Sequence, residues 1–428
     1  MKARKSILLA IVALLSFQSV SAQEIDALGT FTPYSLFGVG DLHGSNSAIT
    51  LGMGGIGMGV RNPAYINFKN IASLTERDTL AFMFDLGVHS KNMYLKDQNT
   101  KSAYNTVNIN NFVFSFPVYD KHAMVVGIMP YSNMGYKFTT DETDPVLISK
   151  YGNIQYFKYG TGSINQAFVG GAVKINKYLS AGLKGIYYFG SQTTHSDVYF
   201  YGGSMRTMET GWKFSPHGFS LEAALQGTYK PAEDYTITAG AVYRTKNKLN
   251  GSTTRYAFVY DSEVRDTVAF NKTVSNIYIP SALSLGVSLR KGEKWMAGID
   301  YERQDWTKAE FKNTVGVGYK AQAAQSIRTG IEFVPNRYDI RYYYKRMTYR
   351  AGFHYDKTYV NLDGKSINQI GFTLGVSLPV YRLNNSFNIA VDFGQRGSAT
   401  GNLVKENYVN FIFSLSLHDI WFVKPKYQ

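Results

Sequence analysis

The sequence predicts an all-β fold, a transmembrane antiparallel β-barrel of fourteen strands with an N-terminal hatch or plug. Three observations carry this. Apolar and polar residues alternate with period two from Leu80 to the C-terminal region. No run of about 18 apolar residues occurs, which excludes helical membrane spans. Short and long connections alternate along the chain, as in an even-stranded up-and-down barrel with short periplasmic turns. The composition agrees: of 428 residues, 15% are aromatic and only 18% charged, with 40 glycines, 33 tyrosines and 27 phenylalanines. Tyr and Phe suit strands, and Gly suits turns and closely packed backbones. The chain has no cysteine, which excludes disulfide scaffolds, thiolate metal sites, haem attachment, cysteine nucleophiles and a cysteine-borne lipid anchor.

The first element is an export signal. Lys2, Arg4 and Lys5 precede an apolar stretch from Ile7 to Phe17, followed by Ser19-Val20-Ser21-Ala22. A charged start, a short apolar core and small residues read as a signal peptide over 1–22, cleaved after Ala22. Its removal takes three positive charges and no negative ones, lowering the formal net charge from +14 to +11. An exported chain without disulfides or a later helical anchor is periplasmic, secreted or an outer-membrane barrel. Alternation selects the outer membrane of a Gram-negative bacterium. Lipid and lipopolysaccharide are then expected partners, and nucleic acid is not.

Residues 23–79 break the rhythm and form the second element, the expected hatch. They contain the cluster Gly52-Met53-Gly54-Gly55-Ile56-Gly57-Met58-Gly59, then Arg61-Asn62-Pro63-Ala64, then a short helix expected at Ile66–Leu74. Gly52, Gly54 and Gly57 match G-x-G-x-x-G, but dinucleotide binding needs a preceding strand and a following helix in a βαβ unit. Neither is present. Glycine that packs irregular backbone tightly inside a barrel is the better reading, because such backbone is tolerated at membrane depth only when enclosed by protein.

The third element, 80–428, is the barrel. Its strands are expected near 80–89, 108–118, 122–138, 163–175, 178–190, 218–230, 235–244, 277–290, 295–305, 325–333, 346–357, 366–380, 386–394 and 406–418. Leu283, Leu285, Val287 and Leu289 alternate with Ser284, Ser288 and Arg290; Phe219, Leu221 and Leu225 alternate with Ser220, Glu222 and Gln226. Short turns fall at 119–121, 176–177, 231–234 and 291–294, and long loops at 90–107, 139–162, 191–217, 245–276 and 306–324. A soluble sandwich also alternates, but would not impose alternating loop lengths over fourteen strands. Tyr178, Trp295, Tyr301, Trp306, Tyr349 and Trp421 near strand ends fit interfacial girdles.

The glycine cluster, Asn62-Pro63-Ala64, the short helix and the first strand together resemble the FadL-like family of outer-membrane transporters for hydrophobic compounds. In that family an N-terminal hatch with an Asn-Pro-Ala motif plugs a fourteen-stranded barrel. The C-terminal stretch Gly394–Gly397, Lys405–Tyr408 and Trp421-Phe422 is similar too, although the chain runs on past Trp421-Phe422 to a basic end with Lys424 and Lys426. The resemblance implies uptake of a hydrophobic small molecule, long-chain fatty acids being the best-known substrates, with hatch rearrangement and sideways release at a kink in strand three. That strand contains Met129, Pro130 and Tyr131. Proline lacks a ladder donor, so Pro130 predicts a local break in pairing. The break reads as a lateral gate or as a harmless bulge.

Lys174, Lys184, Glu222, Asp300, Glu302, Arg328, Glu332, Arg346 and Arg350 are expected to face inward. Such charges pair with each other or with the hatch more readily than with a ligand, so no ligand contact is assigned. The seven histidines have no metal-ligand spacing, and no Ser-His pair is recognisable. An enzyme is not expected, and neither a cofactor nor a metal. The rival to transport is a scaffold barrel in an outer-membrane protein assembly or secretion complex, docking protein partners.

Overall fold

The computed structural model describes residues 29–420, apart from 78–79, 98–99, 120–121, 202–204, 261–264, 310–317, 381–384 and 401–402. The expected signal peptide, the Trp421-Phe422 pair and the basic end lie outside the described residues. The described strands, eighteen in all, form one sheet. Four of them lie outside the wall: Asp41–Leu42, Asn247–Tyr260, Arg265–Ile279 and Tyr319–Ala321. The other fourteen are the wall. They are β1 (Ala81–Lys96), β2 (Lys101–Tyr119), β3 (His122–Asp141), β4 (Asn153–Lys174), β5 (Leu179–Tyr201), β6 (Thr207–Ala232) and β7 (Tyr235–Arg244). Then follow β8 (Ala282–Lys291), β9 (Trp295–Asp305), β10 (Ala323–Phe333), β11 (Thr348–Leu362), β12 (Lys365–Pro379), β13 (Ser386–Arg396) and β14 (Lys405–Ile420). Neighbours pair antiparallel throughout, and β14 returns to β1 in a sixteen-pair ladder from Lys405↔Lys96 to Ile420↔Ala81. The barrel is closed.

Burial along the wall is the reverse of a soluble protein's. Phe219 and Leu225 are 59% and 50% exposed, whereas the intervening Ser220, Glu222 and Gln226 are buried. An apolar face turned outward around a polar interior is stable only against hydrocarbon. This chain is an outer-membrane barrel.

The structure corrects several expectations. The long loops at 90–107, 139–162 and 191–217 are mostly strand: the ladders run on past the membrane, for instance through Tyr94↔Ala103 and Gly160↔Thr194. Polar faces on both sides hid these extensions, since alternation fades once neither face meets lipid. The 245–276 loop is a hairpin, Asn247–Tyr260 against Arg265–Ile279, whose first strand pairs with the outer half of β6. Below it, β7 pairs directly with β8. The helix expected at Ile66–Leu74 is a 3-10 segment at Ile71–Glu76, capped by Asn70. One α-helical turn at Ala48–Leu51 was not expected, being too short to show a period; Ser47 and Thr50 close it with a capping box. Trp306 is not a girdle residue: it is fully buried and stacks on Tyr359 at 4.8 Å, in the outer part of the core.

Candidate functional site

The N-terminal segment, from Gly29 to Arg77, packs inside the wall, and glycine governs how closely. A Cβ on Gly352 of β11 would lie 2.1 Å from the Gly54 amide nitrogen, and one on Gly240 of β7 would lie 1.9 Å from the Met58 carbonyl oxygen. Gly54 itself holds φ +67°, a left-handed conformation that L side chains avoid. At Gly52 and Gly54 backbone meets wall backbone, whereas Gly55 faces the Asn46 and Arg328 side chains and Gly57 faces Lys69 and Asn67 of the segment itself. The wall seizes the exposed peptide groups. Asp300 accepts from the Gly57 and Met58 N–H groups at 2.6 and 2.9 Å, and Ser288 donates to the Gly59 carbonyl at 2.6 Å. Thr373 accepts from Gly54 N–H at 2.8 Å, and Gln226 donates to the Met58 and Val60 carbonyls.

Asn62, Pro63 and Ala64 form a turn: the Asn62 side chain accepts from the Ala64 N–H at 2.9 Å, and Pro63 is exposed. Beside it Arg61 reaches Glu76 at 2.9 Å, Thr75 at 2.8 Å and Ser180 at 3.2 Å. The triplet thus sits where the segment leaves the lumen at the inner ends of β5 and β6.

A second clamp lies at the outer end. Arg396 of β13 donates to Asp41 and Glu406, each at 2.6 Å, and to Thr32 at 2.7 Å. Thr32 also donates to Glu406, and Lys91 of β1 lies 3.3 Å from Asp41. Arg396 and Glu406 are buried. They face each other in the β13–β14 register, so a hairpin alignment could have paired them. Asp41 lies 355 positions away in sequence and carried no such signal.

Between β2 and β3 the wall is incomplete. Their ladder runs from Tyr119↔His122 only as far as Phe112↔Ile128. Met129, Pro130 and Tyr131 follow at once, and the β3–β4 register slips between Pro130 and Ser132. Met129 and Tyr131 are buried in the lumen core. The N-terminal segment fills the gap from inside. Asp41 and Leu42 pair with Asn133 and Ser132 of β3, and the Thr32 and His43 N–H groups donate to the Gly135 and Tyr131 carbonyls at 2.8 and 2.9 Å. On the β2 side the bonds come from side chains: Asn108 and Asn110 donate to the Gly29 and Asn46 carbonyls, both at 2.8 Å, and Phe31 stacks on Tyr104.

A cavity of about 300 Å3 remains in the lumen, lined in part by Lys69, Arg244, Glu302, Arg328, Asp356 and Arg396. Several of the lumen's charges are paired, Lys69 and Arg244 standing outside these pairs. Arg328 bridges Glu302 and Asp356 at 3.1 and 2.9 Å, Lys184 meets Glu222, and Glu332 meets Arg350 and Arg290 at 2.9 and 3.2 Å. The His354 ring nitrogens lie 2.6 and 3.1 Å from Asp356 and Asp392. Most of the charges expected to face inward are in these pairs. Arg346 is a correction: it is exposed in the connection before β11, which starts two residues later at Thr348. Arg244 and Arg396, each the last residue of its strand, were missed, whereas Arg290 was read on the polar face of its strand with Ser284 and Ser288. Among the described residues no group of three or more His, Asp and Glu side chains could hold a metal ion.

The fold is that of FadL-type hydrocarbon channels of the outer membrane. The toluene transporter TbuX of Ralstonia pickettii aligns over 87% of this chain and 97% of its own, with a TM-score of 0.57 and 16% identity. The toluene transporter TodX of Pseudomonas putida aligns over 90% and 100%, at 0.58 and 16%. A FadL homologue of Pseudomonas aeruginosa aligns over 88% and 98%, at 0.56 and 13%. No curated protein matches the sequence. The sequence model of one family, BamG, matches residues 3–428, and the chain belongs to the BamG family.

Proposed function

We propose that this chain uses the hydrocarbon-channel fold in a lastingly plugged form, as a structural subunit of an outer-membrane protein assembly or secretion complex. The observation that carries the reading is the double clamp on the N-terminal segment. Withdrawing that segment takes Asp41 and Thr32 from Arg396, which keeps Glu406, and takes two amides from Asp300. Because Arg396 keeps Glu406, losing Asp41 costs less than a buried charge left alone, about 3–5 kcal/mol, and leaving buried amide partners unmet adds about 1–3 kcal/mol each. A ligand bound at about 1 μM supplies only about 8 kcal/mol in all, and it moves a conformational equilibrium only by its difference in affinity between the two states.

The test is uptake by the full mature chain in lipid vesicles, with oleate and toluene as probes and empty vesicles as reference. We expect no uptake above the reference, together with stoichiometric protein partners that stay with the barrel through mild detergent extraction. Uptake of either probe by the unaltered chain would overturn the reading.

One observation favours a second reading, passive uptake of a hydrophobic small molecule with sideways exit. The β2–β3 gap opens beside Met129, Pro130 and Tyr131, and TbuX and TodX are described as toluene transporters. In this reading Gly29 to Asn46 withdraws and ligand leaves between β2 and β3. Pro130→Val tests it: if uptake exists and stays unchanged while the barrel inserts normally, Pro130 is no gate.

A further inference from the structure

Five of the six inner connections of the barrel are two to six residues long. The sixth, 334–347 between β10 and β11, has fourteen residues and reads Val-Pro-Asn-Arg-Tyr-Asp-Ile-Arg-Tyr-Tyr-Tyr-Lys-Arg-Met. It is an ordered loop. The Asn336 N–H donates to the Lys345 carbonyl at 2.9 Å and closes its neck. Asp339 accepts from the N–H groups of Arg341 and Tyr342 at 2.9 and 2.7 Å and lies 3.5 Å from Lys345. The Tyr342 N–H, with Lys345 and the Arg341 N–H adding to it, holds the Asp339 carboxyl below its usual range, so this brace stays charged at neutral pH.

The loop lies along the rim. The Tyr338 hydroxyl donates to Glu293 in the β8–β9 turn at 3.2 Å, and the Tyr343 hydroxyl donates to the Pro379 carbonyl at the end of β12 at 3.0 Å. Tyr349 stands on the outward face of β11 opposite Phe333, and its hydroxyl donates to the Tyr344 carbonyl at 3.0 Å. A lipid-facing ring bonded to the loop backbone puts the loop's last turn on the lipid side of the rim.

What this braced loop presents is apolar and basic. Ile340 is 99% exposed and Tyr338 74%. Four basic residues face one acidic one, and the Arg341 and Arg346 guanidinium groups each lie 5.1 Å over the rings of Tyr342 and Tyr343. We propose that 334–347 is a docking surface for anionic phospholipid headgroups of the periplasmic leaflet, with Ile340 entering the boundary between headgroups and acyl chains. Arginine recognises phosphate through paired N–H donors. Tyrosine and arginine together are the composition of a membrane interface, and an apolar side chain beside basic ones is how a surface element seats in it. An acidic protein surface would meet the same arginines, but would not call for the loop to lie on the lipid side.

The mature chain in neutral detergent is titrated with phosphatidylglycerol or phosphatidylcholine, and retained lipid is counted by native mass spectrometry. We expect the unaltered chain to retain phosphatidylglycerol over phosphatidylcholine. The double variant Arg341→Glu/Arg346→Glu should lose that preference by about tenfold or more, while Arg341→Lys/Arg346→Lys keeps most of it. No preference in the unaltered chain, or equal retention by the charge-reversed variant, overturns the proposal. A photoreactive residue at position 340 in native outer membranes gives a readout independent of whether the double variant folds. Lipid adducts are expected, and a protein adduct in their place overturns it.

Discussion

The wall has two places where it is joined in different ways. At β14–β1, the two ends of the barrel strand order meet through sixteen consecutive pairs. A buried polar side chain reinforces this joint from the lumen, Ser416 donating to Asp85 at 2.6 Å, while Asn111 of β2 donates to the same carboxylate from the other side at 2.5 Å. At β2–β3 seven pairs form, after which the N-terminal segment takes over with two strand pairs, a few backbone bonds and the Asn108 and Asn110 amides. The first joint is made by ladder geometry and holds whatever occupies the lumen. The second depends on the occupant. An open strand edge must be covered, and here a segment distant in sequence covers it, so plugging the lumen and completing the wall are one event.

The largest test of that difference is Arg396→Ala, which leaves the buried Glu406 without its cation and Asp41 with Lys91 alone. It should destabilise the barrel by about 3–5 kcal/mol, read by urea or heat titration of the barrel's compact gel mobility in detergent. A loss under about 1 kcal/mol would mean that the cluster does not hold the segment. Next comes Gly135→Ala, whose new Cβ would sit 1.7 Å from the Thr30 carbonyl oxygen. Overpacking of this kind costs about 1–3 kcal/mol. It should force the segment off β3 and make vesicles leak a small polar dye. Gly227→Ala on β6 meets nothing within 4 Å and should stay within about 0.5 kcal/mol without leak. If both glycine variants leak alike, the seam is not the weak joint. The smallest effect is expected of Asn108→Ala and Asn110→Ala, about 1 kcal/mol each. Hydrogen exchange should quicken at the amides of 30–46 and stay unchanged along β14–β1. Equal quickening at both joints would remove the distinction.

The barrel was legible because lipid contact writes a strong signal. Leu283, Leu285 and Val287 stand out against Ser284 and Ser288 in the sequence as they do in space, and all fourteen wall strands were found. Strand ends were not legible where β1 to β6 rise beyond the membrane, since both faces there meet water or protein. The Pro130 break was foreseen from the missing donor. Its closure by Asp41 and Leu42 was not, because a two-residue strand has no period. The glycine cluster announced close packing, but its partners, Gly240 and Gly352, are ordinary strand glycines until register sets them against Met58 and Gly54. Individual clamps were the least readable. Asp300 showed as an inward carboxylate, and only the fold aims it at the Gly57 and Met58 amides.

By itself the sequence determined that this is an exported, closed, fourteen-stranded barrel with an irregular N-terminal region. Alternation and turn spacing are local, and alternation is set by the solvent that a residue meets. Only the tertiary structure decided that the N-terminal segment is both plug and wall. The contacts responsible join residues as far apart as Thr32 and Glu406, and a carboxylate carries no mark of the distant partner that will neutralise it. The loop at 334–347 stands between these cases. Its length and its tyrosines are in the sequence, but its seat on the lipid side of the rim rests on one hydroxyl, Tyr349, reaching the Tyr344 carbonyl.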